Sequence, residues 1–562
     1  MPESKGPKRP TSHGASLSQN EAVDFVIVGS GSAGGIIARE LSQAGFSVVV
    51  FEQGPYLKAQ DFKHDELATL FNQEWMGGAK GENPQTFRRS EDEVAQVQDF
   101  PPPLLYAQMV GGSSVHFTAN FWRLHPVDFK ERSLLGPIEG TGFADWPITY
   151  DELEPYYTKV DWEIGVSGAP GPFDPPRSRP FPMETLPVKS SGVLLERGAN
   201  KLGLHVQPAP MAILSQVHNG RPPCIQCGFC MLYGCEVGAK SSTLAAMIPD
   251  AEATGRCEIR SESTVHRIEL DSSGRARRVL YWDRDGNEHA QEAKAVVVSA
   301  NGAETSRLLL MSESNRHPDG LANSSGKVGK YLMFNGQPLA HGRFEHPCNE
   351  WKGPSVTRII HDFYDSDPSR GYYGGGGIDA RFMPGTPIWF ATEGLPPGSP
   401  TWGADYKRML GDYFSNTITV NGHTTSLAVE SNSISLDPTA RDKWGRPALR
   451  TTYRDHPDDM KIAGFLQERC KELLDAAGAE EIWAPEYVEQ NLGAHLLGTC
   501  RMGDDPAESV VDRYHRSHDV ANLFICDGSS MVTSGRGQPT MTIMALAFRA
   551  AEHIAEFARR GE

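Results

Sequence analysis

No stretch of the 562-residue chain approaches the roughly 18 uninterrupted apolar residues of a membrane-spanning helix, so the sequence predicts a soluble protein. The start, Met1 to Glu21, has neither an apolar core nor a small-residue cleavage site. That excludes a secretory leader there, and Gly6, Pro7 and Pro10 make the segment read as a flexible tail. Basic residues are in deficit: 54 Lys and Arg stand against 71 Asp and Glu, a formal charge of −17, and an acidic surface repels nucleic acid. No internal repeat is present, which excludes a solenoid. Cysteines are few and odd in number, nine in all, with five of them scattered. A secreted disulfide scaffold is thereby excluded. The length is enough for two large domains, and 39% hydrophobic with 22% charged residues is a globular composition.

What is there begins at Asp24, in DFVIVGSGSAGGIIARELSQAGFSVVVFEQ. Phe25 to Val28 reads as a buried strand and Gly29 to Gly34 as a tight turn. Ile36 to Ala44 has helical apolar spacing, and Ser47 to Phe51 is a second strand ending in Glu52. This is a βαβ unit. Gly29, Gly31 and Gly34, with Ser32 between them, fit G-x-G-x-x-G, the turn that lets backbone approach a pyrophosphate at a helix N-terminus. Glu52 lies where an acidic side chain holds a ribose hydroxyl. The motif predicts one bound dinucleotide and leaves NAD or FAD open.

Further along, Thr149 to Val160 reads as a helix, and the run from Arg260 to Ala300 as a hairpin around DRDGN leading into a strand at Ala295 to Ser299. After Lys330 the pattern becomes strand-rich, interrupted by the glycine and proline loops FYDSDPSRGYYGGGG and GLPPGSPTWG. Residues 335–485 therefore read as a separate sheet domain, whose Trp351, Tyr372, Tyr373, Trp389 and Trp402 are either core or stacking platforms. Pro539 to Arg559 reads as a closing helix.

The remaining four cysteines, Cys224, Cys227, Cys230 and Cys235, fall within twelve residues as C-x2-C-x2-C-x4-C. The spacing is close to a ferredoxin run, with Gly228, Gly234 and Gly238 as bends, and favours an iron-sulfur cluster, [3Fe-4S] or [4Fe-4S]. A zinc site or plain buried or disulfide-linked thiols are the alternatives.

Four segments together resemble the glucose-methanol-choline oxidoreductases: the glycine turn, VGGSSVHFTANFWRLHPVDF (Val110 to Phe129), HLLGTCRMG (His495 to Gly503) and NLFICDGSSMVTSGRGQPTMTIMALAFRAAEHI (Asn522 to Ile554). WPITYDELEPYY and SANGAETSRLLLMS are similar to further blocks of that family. The resemblance implies an α/β chain (α+β overall), with a Rossmann-like FAD domain in two parts, 22–334 and 486–562. The first part contains the flavin loop 110–129 and the cysteine cluster 224–235. A sheet-based substrate domain, 335–485, roofs the flavin.

By the same resemblance the reaction is oxidation of an alcohol, with His495 as base and hydride transfer to flavin N5; an imidazole titrating near neutrality suits the proton step. Where the family places a second His or Asn, this chain has Gln538, which donates a hydrogen bond but takes no share of base duty. Asp527, Gly528 and the backbone of Val265 are expected at FAD. Gly111, Gly112, Ser113 and Ser114 are expected beside its ring. His116, in GGSSVHFT, is similar to the loop histidine that pyranose oxidases join covalently to flavin, so FAD attached through His116 is one expectation.

The cysteine run resembles that of cytochrome-linked bacterial sugar dehydrogenases. This implies a dehydrogenase rather than an oxidase, acting on a ring hydroxyl of a sugar or glycoside with a 3-keto product. Gluconate 2-oxidation, another alcohol, or a pyranose-oxidase-like reaction stands second, and a noncatalytic electron-transfer subunit last. It also implies a small partner subunit carrying an export signal and a cytochrome c-type acceptor. The location is then periplasmic by co-export, or else cytoplasmic.

Overall fold

The computed structural model describes residues 10–19, 21–72, 81–98, 100–348, 350–381 and 386–561. The β-branched run Val23–Val28 forms the middle of a sheet because both its faces are covered, which an alternating strand would not survive. It pairs in parallel with Val48–Phe51 on one side and Glu288–Val298 on the other. Cys257–Arg260 and Leu523–Ile525 extend the parallel set at its two ends. The helices Gly34–Gln43 and Pro539–Arg560 cover the sheet and bury Ile36, Ile37, Leu41, Met544 and Phe548. The expected hairpin is present as Ala276–Trp282 against Glu288–Val298, joined at its far edge by Thr264–Leu270. Thr149 caps the helix Tyr150–Val160, its hydroxyl accepting from the Glu152 amide at 3.2 Å while the Glu152 carboxylate accepts from the Thr149 amide at 2.7 Å.

The second sheet is antiparallel throughout, in the order Glu481–Trp483, Leu339–Arg343, Thr417–Thr424, Gly376–Arg381, Val356–Ile360, Val206–Pro208. Helices Pro457–Ala477 and Ser190–Leu202 pack on one of its faces through Leu195, Ala199, Ile462, Leu466 and Leu473. The other face carries Asp379, Arg381 and His423.

Two differences from the sequence reading follow from pairing between distant segments. The tail was expected to be flexible over 1–21, and its first nine residues lie outside the described ones. Ser12–Gly14, however, is an edge strand paired antiparallel with Cys257–Arg260 and anchored by Ser12 Oγ donating to Glu258 Oε1 at 2.7 Å. Within 335–485, Ser433–Arg441 and Pro447–Thr452 leave the roof for a four-stranded sheet, where Pro447–Thr452 runs parallel to Gln85–Arg88. Val206–Pro208 enters the roof from outside that span. Among the described residues no helix is long and apolar enough to cross a membrane.

Candidate active site

The glycine turn is built by close backbone approach. A Cβ on Gly34 would lie 1.9 Å from the carbonyl oxygen of Gly29, and one on Gly29, whose φ is +95°, would lie 2.3 Å from that of Ser299. Gly31 differs: its Cβ would meet only Gly112 Cα, at 3.9 Å. The space over Gly31 is part of a cavity of about 180 Å³.

Glu52 lines that cavity. Its carboxylate accepts from Ser30 Oγ at 2.7 Å and from the Gly54 amide at 3.0 Å, and burial pushes its carboxyl up to about 7 against those bonds. The same cavity is lined by Gly29, Gly31, Ser32, Val265, Gly112 and Ser113, and by Asp527, Gly528 and His495. Open backbone at Gly31 with a buried carboxylate in the same cavity fits a dinucleotide such as FAD.

Gly34, Gly111, Ser114, His116 and Gln538 do not line the cavity. Gly34 and Gly111 shape the turns behind it. Ser114 Oγ donates to the Gly111 carbonyl at 2.6 Å and accepts from the Thr243 amide at 3.1 Å, so it braces the loop.

His495 is brought to Asp527 by backbone packed on backbone: a Cβ on Gly302 would lie 2.2 Å, and one on Gly528 2.7 Å, from the Leu496 carbonyl oxygen. Its Nδ1 lies 2.9 Å from Asn335 Oδ1. The Asn335 amide is fixed because Nδ2 donates to the carbonyls of Thr424 at 2.8 Å and Gly535 at 3.2 Å. Oδ1 must therefore accept, Nδ1 carries the proton, and Nε2 holds a lone pair with no protein partner among the described residues. Burial, together with the nearby His423 and Arg381, pushes the imidazole down to about 3. His495 is therefore neutral at physiological pH.

Behind the base stands a group the sequence reading missed. Gly377 pairs with His423, Asp379 with Asn421 and Arg381 with Thr419, so strand alternation puts Asp379, Arg381, Asn421 and His423 on one face. Arg381 Nε donates to Asp379 Oδ1 at 2.7 Å, and His423 Nε2 lies 2.8 Å from Asp379 Oδ2. Burial works to raise the Asp379 carboxyl, but Arg381 and His423 together hold it at about 2. Gln538 Nε2 lies 3.3 Å from His423 Nδ1.

The cysteine loop packs against the flavin-type loop. The His116 ring donates from Nδ1 to the Leu232 carbonyl at 2.6 Å, and the Leu232 amide donates to the His116 carbonyl at 2.9 Å. His116 Nε2 is buried without a partner, and burial pushes the ring down to about 4. This joint between two loops, not the cavity wall, is where the expected flavin-linking histidine stands. Lys240, also missed in the sequence, is fully buried and its ammonium donates to the carbonyls of Phe117 at 3.0 Å, Tyr233 at 2.8 Å and Cys230.

All nine cysteines are free thiols. Burial and the neighbouring Cys224, Cys227 and Cys235 push Cys230 up to about 12, with Lys240 acting the other way, and the Gln226 amide donates to Cys224 Sγ at 3.3 Å. The four thiols are thus neighbours. No group of three or more His, Cys, Asp or Glu among the described residues is arranged to hold a single metal ion. The roof aromatics do not line the cavity: Trp402 is 84% and Trp351 53% exposed, and Tyr373 donates to Glu131 at 2.8 Å in the interior.

Comparison with known proteins adds to this geometry. Residues 23–335 and 428–547 match the N- and C-terminal profiles described as GMC oxidoreductase. The 2-methyl-1,2-propanediol dehydrogenase of Mycolicibacterium austroafricanum is 35% identical over 549 residues, covering 95% of each chain. The fructose dehydrogenase large subunit of Gluconobacter japonicus is 29% identical, over 96% of this chain and 99% of its own. Among solved structures, pyridoxine 4-oxidase from Mesorbium loti superimposes with a TM-score of 0.64 at 18% identity, over 95% of this chain and 99% of its own, a likeness of fold.

Proposed function

The chain belongs to the GMC oxidoreductase family and is an FAD-dependent oxidoreductase acting on alcohol or sugar hydroxyls, and from that premise we propose that His495 is its base and that a ring hydroxyl of a sugar or glycoside is its substrate, oxidised to a 3-keto product. The observation that carries the catalytic reading is the enforced tautomer of His495 on the wall of the cavity that Glu52 also lines.

The substrate hydroxyl gives its proton to His495 Nε2. Asn335 Oδ1 accepts a hydrogen bond from Nδ1–H and steadies the imidazolium that results. The Gln538 amide donates to the substrate oxygen. Gly29, Gly31, Ser32, Gly112 and Ser113 hold the cofactor's backbone-facing side, Glu52 its ribose, and Val265 its adenine. FAD, when bound, supplies the two-electron acceptor for the hydrogen on the carbinol carbon.

The fructose relative supports a sugar; the diol relative, at higher identity, supports a small vicinal alcohol as the second reading. Anaerobic addition of a methyl glucoside, gluconate and 2-methyl-1,2-propanediol to the holoprotein decides between them: the expected result is flavin bleaching by the glucoside. Bleaching by the small diol alone overturns the sugar assignment.

Gly31 provides a test of the cofactor site. Because the protein leaves its Cβ position open, Gly31→Val is expected to fold with an unchanged circular dichroism spectrum but to bind flavin at least about tenfold more weakly, a loss of about 1.4 kcal/mol. A variant that purifies fully yellow argues against a pyrophosphate over this turn.

The cysteine loop fits an iron-sulfur cluster in its donor set, with Cys224, Cys227, Cys230 and Cys235 as the holders. Such a cluster supplies one-electron transfer when bound, and a relative named as a large subunit supports a smaller partner subunit; a cytochrome c-type acceptor for those electrons completes the proposal. Iron and acid-labile sulfide are expected in the purified protein and are expected to be lost in Cys227→Ser and Cys230→Ser, with substrate still bleaching the flavin. Wild-type protein with flavin but no iron removes the cluster from the reading.

A further inference from the structure

The proposed mechanism asks Gln538 for one hydrogen bond, yet nothing in its own loop fixes its amide. What touches it comes from the roof. Gly537, with φ at +127°, brings the chain so close that a Cβ there would lie 2.7 Å from His423 Cβ, and the Gln538 amide nitrogen then meets His423 Nδ1 at 3.3 Å.

The proton on His423 can be placed by elimination. Asp379 is ionised beside Arg381 and only accepts, so the imidazole nitrogen 2.8 Å from its Oδ2 must be the one bearing hydrogen, Nε2. Arg381 Nη2 and Asn421 Nδ2 also lie near Nε2, at 2.9 and 3.3 Å, but each has an oxygen to donate to: Asp379 for the first and the Gly422 carbonyl, at 2.9 Å, for the second. The lone pair is then on Nδ1, where it accepts from the Gln538 amide. Among the described residues the second amide hydrogen and Oε1 have no protein partner.

We infer that Asp379 and His423 are positioning residues that act through Gln538, turning the free edge of its amide, one N–H and one C=O, toward the substrate. An edge of that kind pairs with two adjacent hydroxyls: the N–H donates to the oxygen being oxidised and the C=O accepts from the hydroxyl on the neighbouring carbon. The preferred substrate class is a vicinal diol, in a sugar ring or outside one. This rests on the reading that Gln538 contacts substrate.

The test is anaerobic stopped-flow reduction of the flavin in holoprotein variants, with a vicinal diol and with the matching alcohol that lacks the neighbouring hydroxyl. Gln538→Ala is expected to slow reduction by the diol about tenfold and to erase the preference for the diol. His423→Leu is expected to reproduce that loss, and the double variant to be no slower than Gln538→Ala alone, because the two residues form one chain. His423→Asn, which keeps an acceptor near the Nδ1 position, is expected to recover most of the rate. Losses that multiply in the double variant, or a His423→Asn as slow as His423→Leu, overturn the inference and leave Gln538 in place. A Gln538→Ala that reduces at the wild-type rate removes the earlier reading of Gln538 and the chain with it.

Discussion

Replacing His495 by Ala is expected to slow substrate-driven flavin reduction by about 10²- to 10⁴-fold, the usual contribution of a positioned general base, while the protein keeps its yellow colour. The two outcomes separate because the residues at Glu52, Gly31 and Val265 are untouched. The ring is neutral at physiological pH with Nδ1 committed to Asn335, so Nε2 is free to accept, but burial holds it at about 3, below the near-neutral value that suits the proton step best. Asn335→Leu frees the tautomer and is expected to cost part of the same rate, again without loss of flavin. Full turnover by flavin-bearing His495→Ala would end the assignment of His495 as base.

Acid is expected to unfold the protein early. His116 and His341 are pushed down to about 4 and His515 to about 3 by burial, and His361 falls well below its ordinary range for the same reason. Their rings are nearly inaccessible, and His116 Nε2, His515 Nε2 and both nitrogens of His361 have no partner to share an added proton. An unfolded chain protonates each at about 6.5, so between there and about pH 4 the unfolded state binds more protons and stability falls as pH falls. Each group contributes about 1.4 kcal/mol per pH unit, so the four together remove on the order of 5 kcal/mol by pH 5.5, a large part of a domain's stability. Glu52 and Asp527, whose carboxyls burial raises, act in the opposite sense and offset some of this. Urea midpoints at pH 7.5, 6.5, 5.5 and 4.5 measure the net slope. A midpoint that holds steady down to pH 4.5 contradicts it.

How much of this was legible in the sequence depends on whether a residue's partner is near it in the chain. The glycine turn, Glu52 and the hairpin around DRDGN are local, and their spacing alone placed them. HLLGTCRMG was legible through the family likeness. Asn335, Asp379, Arg381 and His423 were not, because each is ordinary in its own segment and becomes part of the site only through cross-strand register and through contacts to the distant His495 and Gln538. Lys240 was hidden for a related reason: its partners are carbonyls, which leave no mark on side-chain spacing. Ser12–Gly14 and Pro447–Thr452 find their strand partners far along the chain, a pairing that local spacing does not show.

The central sheet also sets an order of assembly on the ribosome. Glu288–Val298 is made well over two hundred residues before Leu523–Ile525, which pairs with it in parallel. Until then the strand that carries Val296, Val297 and Val298 has an unpaired, strongly apolar edge, the kind of surface that recruits other chains. That edge therefore needs shielding from the time Val298 is made until Leu523 follows it, and the cofactor cavity, whose wall includes Asp527 and Gly528, closes only after those residues are made.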